Sequence, residues 1–233
     1  DKYLITNLSM EQQKYSSKHL NYNSENNEKY REDNYQFIKK HYSGEPSSAK
    51  VLDIGCGEGR FAYLLYDLFE EWHGIDSSSK QIKQARLERR NYQKQIRKGK
   101  DIPGISREAP VRRIFFKEGA AEKVPHAEGK FDIIVYFVTW NFIKNPEKAV
   151  KEVLRVLRDG GLLVIIEPGQ ISEGWINPKW NSSDLENFNE KAWEQKLQEL
   201  KNAERFLNGI TSLKRMEKLK KKSVTLWAFI KPE

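Results

Sequence analysis

The sequence predicts an α/β fold in which mostly parallel strands alternate with helices around one doubly wound sheet. Residues 51–54 form a short apolar run that breaks into glycines at Gly55, Gly57 and Gly59. Apolar residues at helical spacing follow at once, Phe61, Leu64, Leu65 and Leu68, so the order is strand, glycine turn, helix. Residues 130–138, KFDIIVYFV, are nearly all apolar, the pattern of a strand covered by helices on both faces. Between and after these two segments, strand-like and helix-like runs keep alternating as far as Pro168.

Taken in order, residues 1–45 are polar and rich in Asn, Glu, Lys and Tyr, with Gly44 the first glycine. From 26 to 41 the pattern suits an amphipathic helix with Tyr30, Asn34, Phe37 and Ile38 on one side. This N-terminal helical extension is either a lid or a helix packed on the sheet. The first helix after the glycine turn should run over 59–70, with amides facing the notch. EWHGID then makes a second strand ending at Asp76, seventeen residues beyond Gly59. A carboxylate at that tip can accept hydrogen bonds from both hydroxyls of a ribose, or it can cap the next helix, with Ser78 or Ser79 as alternative caps.

The next helix starts near Lys80 and carries a basic patch. Residues 80–113 hold twelve Lys or Arg against three Asp or Glu, while the whole chain has a formal net charge of +8. The rest of the chain is therefore close to neutral. Residues 88–110 read as an insertion, with a turn at 101–104, before a third strand over 112–119. The patch is a solvated face or an anion-binding surface, with RNA phosphates as one candidate partner. Tyr92 is the lone aromatic of that helix, a poor platform for base stacking. After the fourth strand, Asn145-Pro146 opens a helix with an Ala149, Val150, Val153, Leu154, Leu157 stripe, and Asp159-Gly160-Gly161 should end it. Residues 162–168 make a fifth strand. A helix over 184–207, capped by Ser183, and a hairpin of strands at 210–219 and 223–232 complete the chain.

Composition narrows the function classes. A chain of 233 residues holds one ample domain, or one with a modest cap. Cys56 is the only cysteine, so no internal disulfide can form, and a reducing, cytoplasmic setting is expected. No apolar run approaches the roughly 20 residues of a membrane span, and the first residues lack the apolar core of a signal peptide. His19, His41, His73 and His126 are scattered without ligand spacing, so no metal site is expected, and G-x-S-x-G is absent.

The glycines alternate as G-x-G-x-G, with Asp53 two residues ahead and Arg60 where a dinucleotide fingerprint wants its third glycine. This resembles motif I of the class I S-adenosylmethionine (SAM) methyltransferases. GAAEKVP at 119–125 resembles the family's G-D-A-E-x-L-P, with Ala120 in place of the Asp. RVLRDGGLLVIIEPG at 155–169 resembles its helix, paired glycines and strand. The resemblance covers about 46–168, and the C-terminal hairpin in architecture only. It implies a seven-stranded sheet of order 3-2-1-4-5-7-6 with the last strand antiparallel, residues 46–233 forming the SAM-binding domain and 184–233 its C-terminal helix and hairpin. It also implies a cofactor site of Asp53, Gly55, Cys56, Gly57 and Gly59 in the turn, Asp76 and Ser77 at the ribose, Ala121 and Glu122 at the adenine, and Tyr136 by its backbone at the methionine part. Cys56 itself reads as a small buried side chain.

The implied activity is transfer of the methyl group of SAM to an N or O atom of an acceptor, leaving S-adenosylhomocysteine (SAH). A small-molecule acceptor comes first, an RNA or protein acceptor second. A non-catalytic SAM-binding module and a dinucleotide oxidoreductase are the other classes, the last disfavoured by the alternating glycines. Where family members carry a His-His pair, this chain has Asn141 and Phe142 beside Trp140, so no catalytic residue is assigned. Tyr136, His126, Glu167 and the N-terminal tyrosines are the candidate bases, none singled out by the sequence, and the tyrosines are also candidate faces for the sulfonium.

Overall fold

The computed structural model describes residues 25–98, 113–168, 198, 201–203, 205–220 and 224–232. Its centre is a seven-stranded sheet of order β3-β2-β1-β4-β5-β7-β6. The strands are β1 (Lys50–Ile54), β2 (Glu71–Asp76), β3 (Ile114–Glu118), β4 (Phe131–Phe137), β5 (Leu157–Pro168), β6 (Lys214–Lys220) and β7 (Val224–Ile230). β3, β2, β1, β4 and β5 pair in parallel, and β7 runs antiparallel to both β5 and β6. The expected order and the antiparallel strand are both present.

Two apolar layers sandwich the sheet. Alternation along β4 sends Ile133, Val135 and Phe137 to one layer and Ile134 and Tyr136 to the other, all buried. The first layer is closed by α1 (Glu25–His41), α2 (Arg60–Leu65) and α3 (Ser79–Arg97). The second is closed by α4 (Pro146–Val156), whose Ala149, Val150, Val153 and Val156 face the sheet, together with Leu207. Each such valine buries enough apolar area to contribute on the order of 1.5–3 kcal/mol, which is why the stripe decides where α4 sits.

Within the described residues, α1 is a packed helix. Asn34, Phe37 and Ile38 are buried as their spacing requires. Arg31 forks onto Asp67 at 2.7 and 2.9 Å and also reaches the Leu64 carbonyl, tying α1 to the end of α2. His41 and Lys40 bond Glu217 of β6 at 2.6 and 2.7 Å.

Several boundaries differ from expectation. α2 spans only Arg60–Leu65, with a 3-10 turn at Tyr66–Leu68 in place of a longer helix. Ala62, Tyr63 and Tyr66 are buried along with Leu64 and Leu65, so five consecutive residues, 62–66, point into protein and a regular helix would expose at least one. β5 starts at Leu157, directly after α4, and the paired glycines lie inside its range with Gly160 at φ 68°. Leu157 pairs with Phe131 before the register shifts to Leu162 and Ile133, so the glycines form an irregularity in the strand. Residues 1–24, the turn at 101–104, Ser183 with the start of its helix, and Lys221 and Lys222 lie outside the described residues. Among those described, no helix is long and apolar enough to cross a membrane.

Candidate functional site

β1, β2 and β4 lie side by side at the middle of the sheet, and the turns leaving their carboxyl ends surround one notch. The β1 turn is pinned to β2 by bonds from Gly55 N–H and Cys56 N–H to the Ile75 carbonyl, at 2.8 and 2.9 Å. Its three glycines all have positive φ, at 77°, 54° and 84°, but for different neighbours. A Cβ on Gly55 would stand 2.1 Å from Thr139 Cγ2, and one on Gly59 would stand 2.4 Å from the Phe116 ring. A Cβ on Gly57 would meet nothing within 4 Å. Two glycines are there to pack; Gly57 faces open space.

Asp76 closes the notch on the β2 side. Its Oδ2 accepts the Gly57 N–H at 3.0 Å and its Oδ1 accepts the Ser78 N–H at 2.8 Å. Ser78 is the cap, with Oγ accepting from Gln81 N–H, and Ser77 is exposed. An ionised carboxylate has about four lone-pair sites, so Asp76 retains acceptor capacity while holding the turn.

Asp53 lies beneath, fully buried, and neither carboxylate oxygen has a hydrogen-bond partner. Burial pushes this carboxyl well above the ordinary carboxylate range, and the neighbouring Asp76 charge pushes it further. The Trp72 indole N–H, itself without a partner of good geometry, eases the effect in part. Cys56 is buried, with Sγ 3.6 Å from the Gly57 carbonyl. Burial, then the Asp53 and Asp76 charges, raise its thiol well above the usual value, so it is a packing side chain and not a nucleophile.

The β3 side of the notch is the segment after Glu118. The Gly119 N–H donates to the Asp76 carbonyl at 3.0 Å, Ala120 and Lys123 form a bridge, and Ala121 and Val124 are buried. Glu122 accepts the Asn145 N–H at 3.1 Å, which ties this segment to the start of α4. On the β4 side, Tyr136 sends its ring into the α4 layer, edge-on to Trp140 at 5.0 Å, with its hydroxyl unpartnered and its pKa raised by burial. Only its main chain reaches the notch edge.

Past β4 comes a feature without a sequence signal. Val138, β-branched, has φ 54°, a conformation that such residues almost never adopt. Its N–H bonds the Ile166 carbonyl at 2.7 Å. Thr139 leans on Gly55 and donates to the Phe137 carbonyl at 3.0 Å. Buried Glu167 accepts the Trp140 N–H at 2.6 Å and the Asn141 side-chain amide. Trp140 is 2% exposed and covers the core.

The structure places none of the three named base candidates at the mouth as a free base. Tyr136 is internal, and Glu167 is engaged by the Trp140–Asn141 turn. His126 packs on His73 and on Phe131, the first residue of β4, and so sits by the amino end of that strand and not by the carboxyl end that borders the notch. Burial, then the positive charge of Lys130, hold His126 down at about 4.

Comparison with known proteins agrees with this fold. Residues 52–165 match the sequence model described as a methyltransferase domain. The chain is 27% identical over 118 residues to the uncharacterised methyltransferase YcgJ of Bacillus subtilis, covering 51% of this chain and 40% of that protein. It is 26% identical over 137 residues to the demethylmenaquinone methyltransferase of Lactiplantibacillus plantarum, covering 58% of this chain and 51% of that one. The chain thus spans about half the length of these relatives or less. A crystal structure of a SAM-dependent methyltransferase from Aquifex aeolicus superposes over 85% of this chain and 89% of that one, with a TM-score of 0.55 at 18% identity. Sheet order, the alternating-glycine turn and the matched domain together support the class I SAM-dependent methyltransferase family for this chain.

Proposed function

We propose that the chain is a SAM-dependent methyltransferase whose cofactor lies in the notch between the ends of β1, β2 and β4 and whose acceptor is a small molecule. The observation that carries the reading is Gly57: left-handed, with open space where a side chain would stand, and bonded through its amide to the Asp76 carboxylate. Bare backbone of this kind lets a ligand lie directly against the main chain.

The charges fit the cofactor. Asp76 sets a carboxylate at the notch, and Asp53, held protonated by burial, would ionise when a cationic sulfonium is bound, an arrangement favourable to that cation and unfavourable to the pyrophosphate of a dinucleotide. In this reading Gly55, Cys56, Gly57 and Gly59 shape the cradle, and Asp53 supplies its buried counter-charge. Asp76, with Ser77 beside it, takes the ribose; Ala121 and Glu122 border the adenine, and the Tyr136 main chain borders the methionine part. SAM, when bound, supplies a methyl group on a good leaving group. The protein's share is alignment, which can be worth on the order of 7–11 kcal/mol of the barrier. Among the described residues none of the named candidates stands at the mouth as a free base, an arrangement that suits acceptors that attack without first surrendering a proton.

The division into an extension over 1–45 and a binding domain over 46–233 belongs to the same proposal, as does a reducing compartment for the buried Cys56 thiol. Calorimetry with SAM and SAH tests the site, and release of SAH from SAM on adding small-molecule extract tests the activity. Binding of both and turnover are expected. Absence of any binding overturns the site; binding without turnover in any extract leaves a SAM-binding module instead.

A further inference from the structure

The basic patch resolves into two populations on α3. Arg86 donates twice to the Phe116 carbonyl, at 3.0 and 2.8 Å, and Arg89 donates to the Ile114 carbonyl at 2.6 Å. β3 is the edge strand, so these two arginines cap carbonyls that would otherwise invite another strand. They are spent on the fold.

The others are not. Lys80, Lys83, Arg90, Lys94 and Arg97 are exposed, and with Leu87 they fall at steps of three, four, three, four and three residues. That spacing keeps them on one line along the helix for about 25 Å. Among the described residues none of these five cations has an ion pair or hydrogen bond. Glu88, the one acidic residue within Ser79–Arg97, is bonded to Gln84 at 2.8 Å and stands off the line. Leu87, 42% exposed, sits in the middle of the stripe.

We propose that this face of α3 is a docking surface for an acidic α-helix of a partner protein. Alternating three- and four-residue steps are the seam spacing by which one helix lies along another. Here the seam carries cations, so the complementary seam carries carboxylates. The central leucine gives the contact an apolar middle inside a charged surround, the layout of a protein interface and of no use to a phosphate backbone. Tyr92, the residue that would stack on a nucleobase, is buried against Tyr63. α3 begins three residues beyond Asp76, so a docked helix would have one end beside the notch. The surface itself lies outside the notch, and its occupancy does not depend on methyl transfer.

The test uses the full chain and four labelled probes followed by fluorescence anisotropy. One is a helical peptide with Glu at the matching steps around a central Leu; the second is the same composition scrambled; the third and fourth are an RNA duplex and poly(U). Variants are the triple Lys83→Glu/Arg90→Glu/Lys94→Glu, the single Leu87→Ser, and a control triple, Lys39→Glu/Lys148→Glu/Lys151→Glu, which removes equal charge elsewhere. The matched peptide is expected to bind more tightly than the scrambled one and than either RNA. The α3 triple should weaken it by about tenfold, the combined effect of three surface ion pairs, and the control triple by less than about twofold. Leu87→Ser should weaken the peptide and leave RNA unchanged. SAM calorimetry on each variant confirms that the notch is intact. Preference for RNA, equal binding of matched and scrambled peptides, equal losses in both triples, or no binding of the matched peptide each overturns the proposal.

Discussion

Two turns meet at the notch, and they solve the same backbone problem in opposite ways. After β1 the chain takes positive φ at Gly55, Gly57 and Gly59, where glycine makes that conformation nearly free. After β4 it takes positive φ at Val138, where a β-branched side chain makes it expensive. The first turn leaves room: nothing stands within 4 Å of a Cβ on Gly57. The second is filled and latched, with Thr139 against Gly55 and Glu167 holding the Trp140 N–H and the Asn141 amide. An open turn is a place for a ligand, and a filled one is a wall. Under the proposed function, the pairing would put a backbone cradle on the cofactor side and a side-chain-built rim on the acceptor side.

The strongest way to break this contrast is to put side chains on the two neighbouring glycines. Gly57→Val should leave a folded protein, losing about 1–2 kcal/mol to the left-handed conformation, while SAM affinity falls by about a hundredfold or more. Gly55→Ala should do the reverse in kind. Its methyl is driven into Thr139, costing about 3 kcal/mol of stability or more, and Thr139→Gly in the same chain should recover part of that loss. Denaturant titration and calorimetry on the three variants separate the two effects. Full SAM affinity in Gly57→Val would end the cradle reading.

The same contrast explains what the sequence could disclose. The cradle was legible because it is written in residue types: alternating glycines after a strand have few other uses, and Asp76 stands at a strand tip. The sheet order followed from the resemblance those residues carry. The rim was illegible because its parts have ordinary identities. Nothing in Val-Thr-Trp announces a left-handed valine, and Glu167 looks like the end of a strand until the Trp140 amide is seen to bond it. Which glycine faces open space was equally hidden, since that depends on Thr139 and Phe116, 84 and 57 residues away along the chain from Gly55 and Gly59. The basic patch was visible as charge, but only the fold separates Arg86 and Arg89 from the cations left over.

A smaller effect sharpens the electrostatic side of the cradle. Asp53 has its carboxyl raised by burial and by Asp76, so the native state holds its proton to higher pH than the unfolded chain does. Stability therefore falls as pH rises from the unfolded value, about 3.9, toward the folded one, and Asp53→Asn should flatten that slope and stabilise the apo protein near neutrality. A cationic ligand favours the ionised carboxylate, so SAM binding should release a proton and tighten as pH rises through the apo value. Calorimetry in two buffers of different ionisation enthalpy reads that proton directly. Equal heats in the two buffers, with Asp53→Asn binding SAM as well as the parent, would remove Asp53 from the charge argument.

The smallest effect expected is at the rim itself. Asparagine tolerates the left-handed region far better than valine, so Val138→Asn should raise stability by about 0.5–1 kcal/mol, a shift of roughly 1–4 °C in Tm. Val135→Ala, three residues earlier and fully buried within β4, should instead cost about 2 kcal/mol, because there the isopropyl group fills the core and carries no strain to relieve. The pair of variants asks whether Val138 is kept for its packing or in spite of its backbone. A gain at 138 that leaves SAM affinity intact, yet loosens turnover of the acceptor, would mean that the strained valine holds the rim where the acceptor needs it. A loss of more than about 1 kcal/mol would mean instead that its side chain is ordinary core, and the rim would then owe its shape to Glu167 and Thr139 alone.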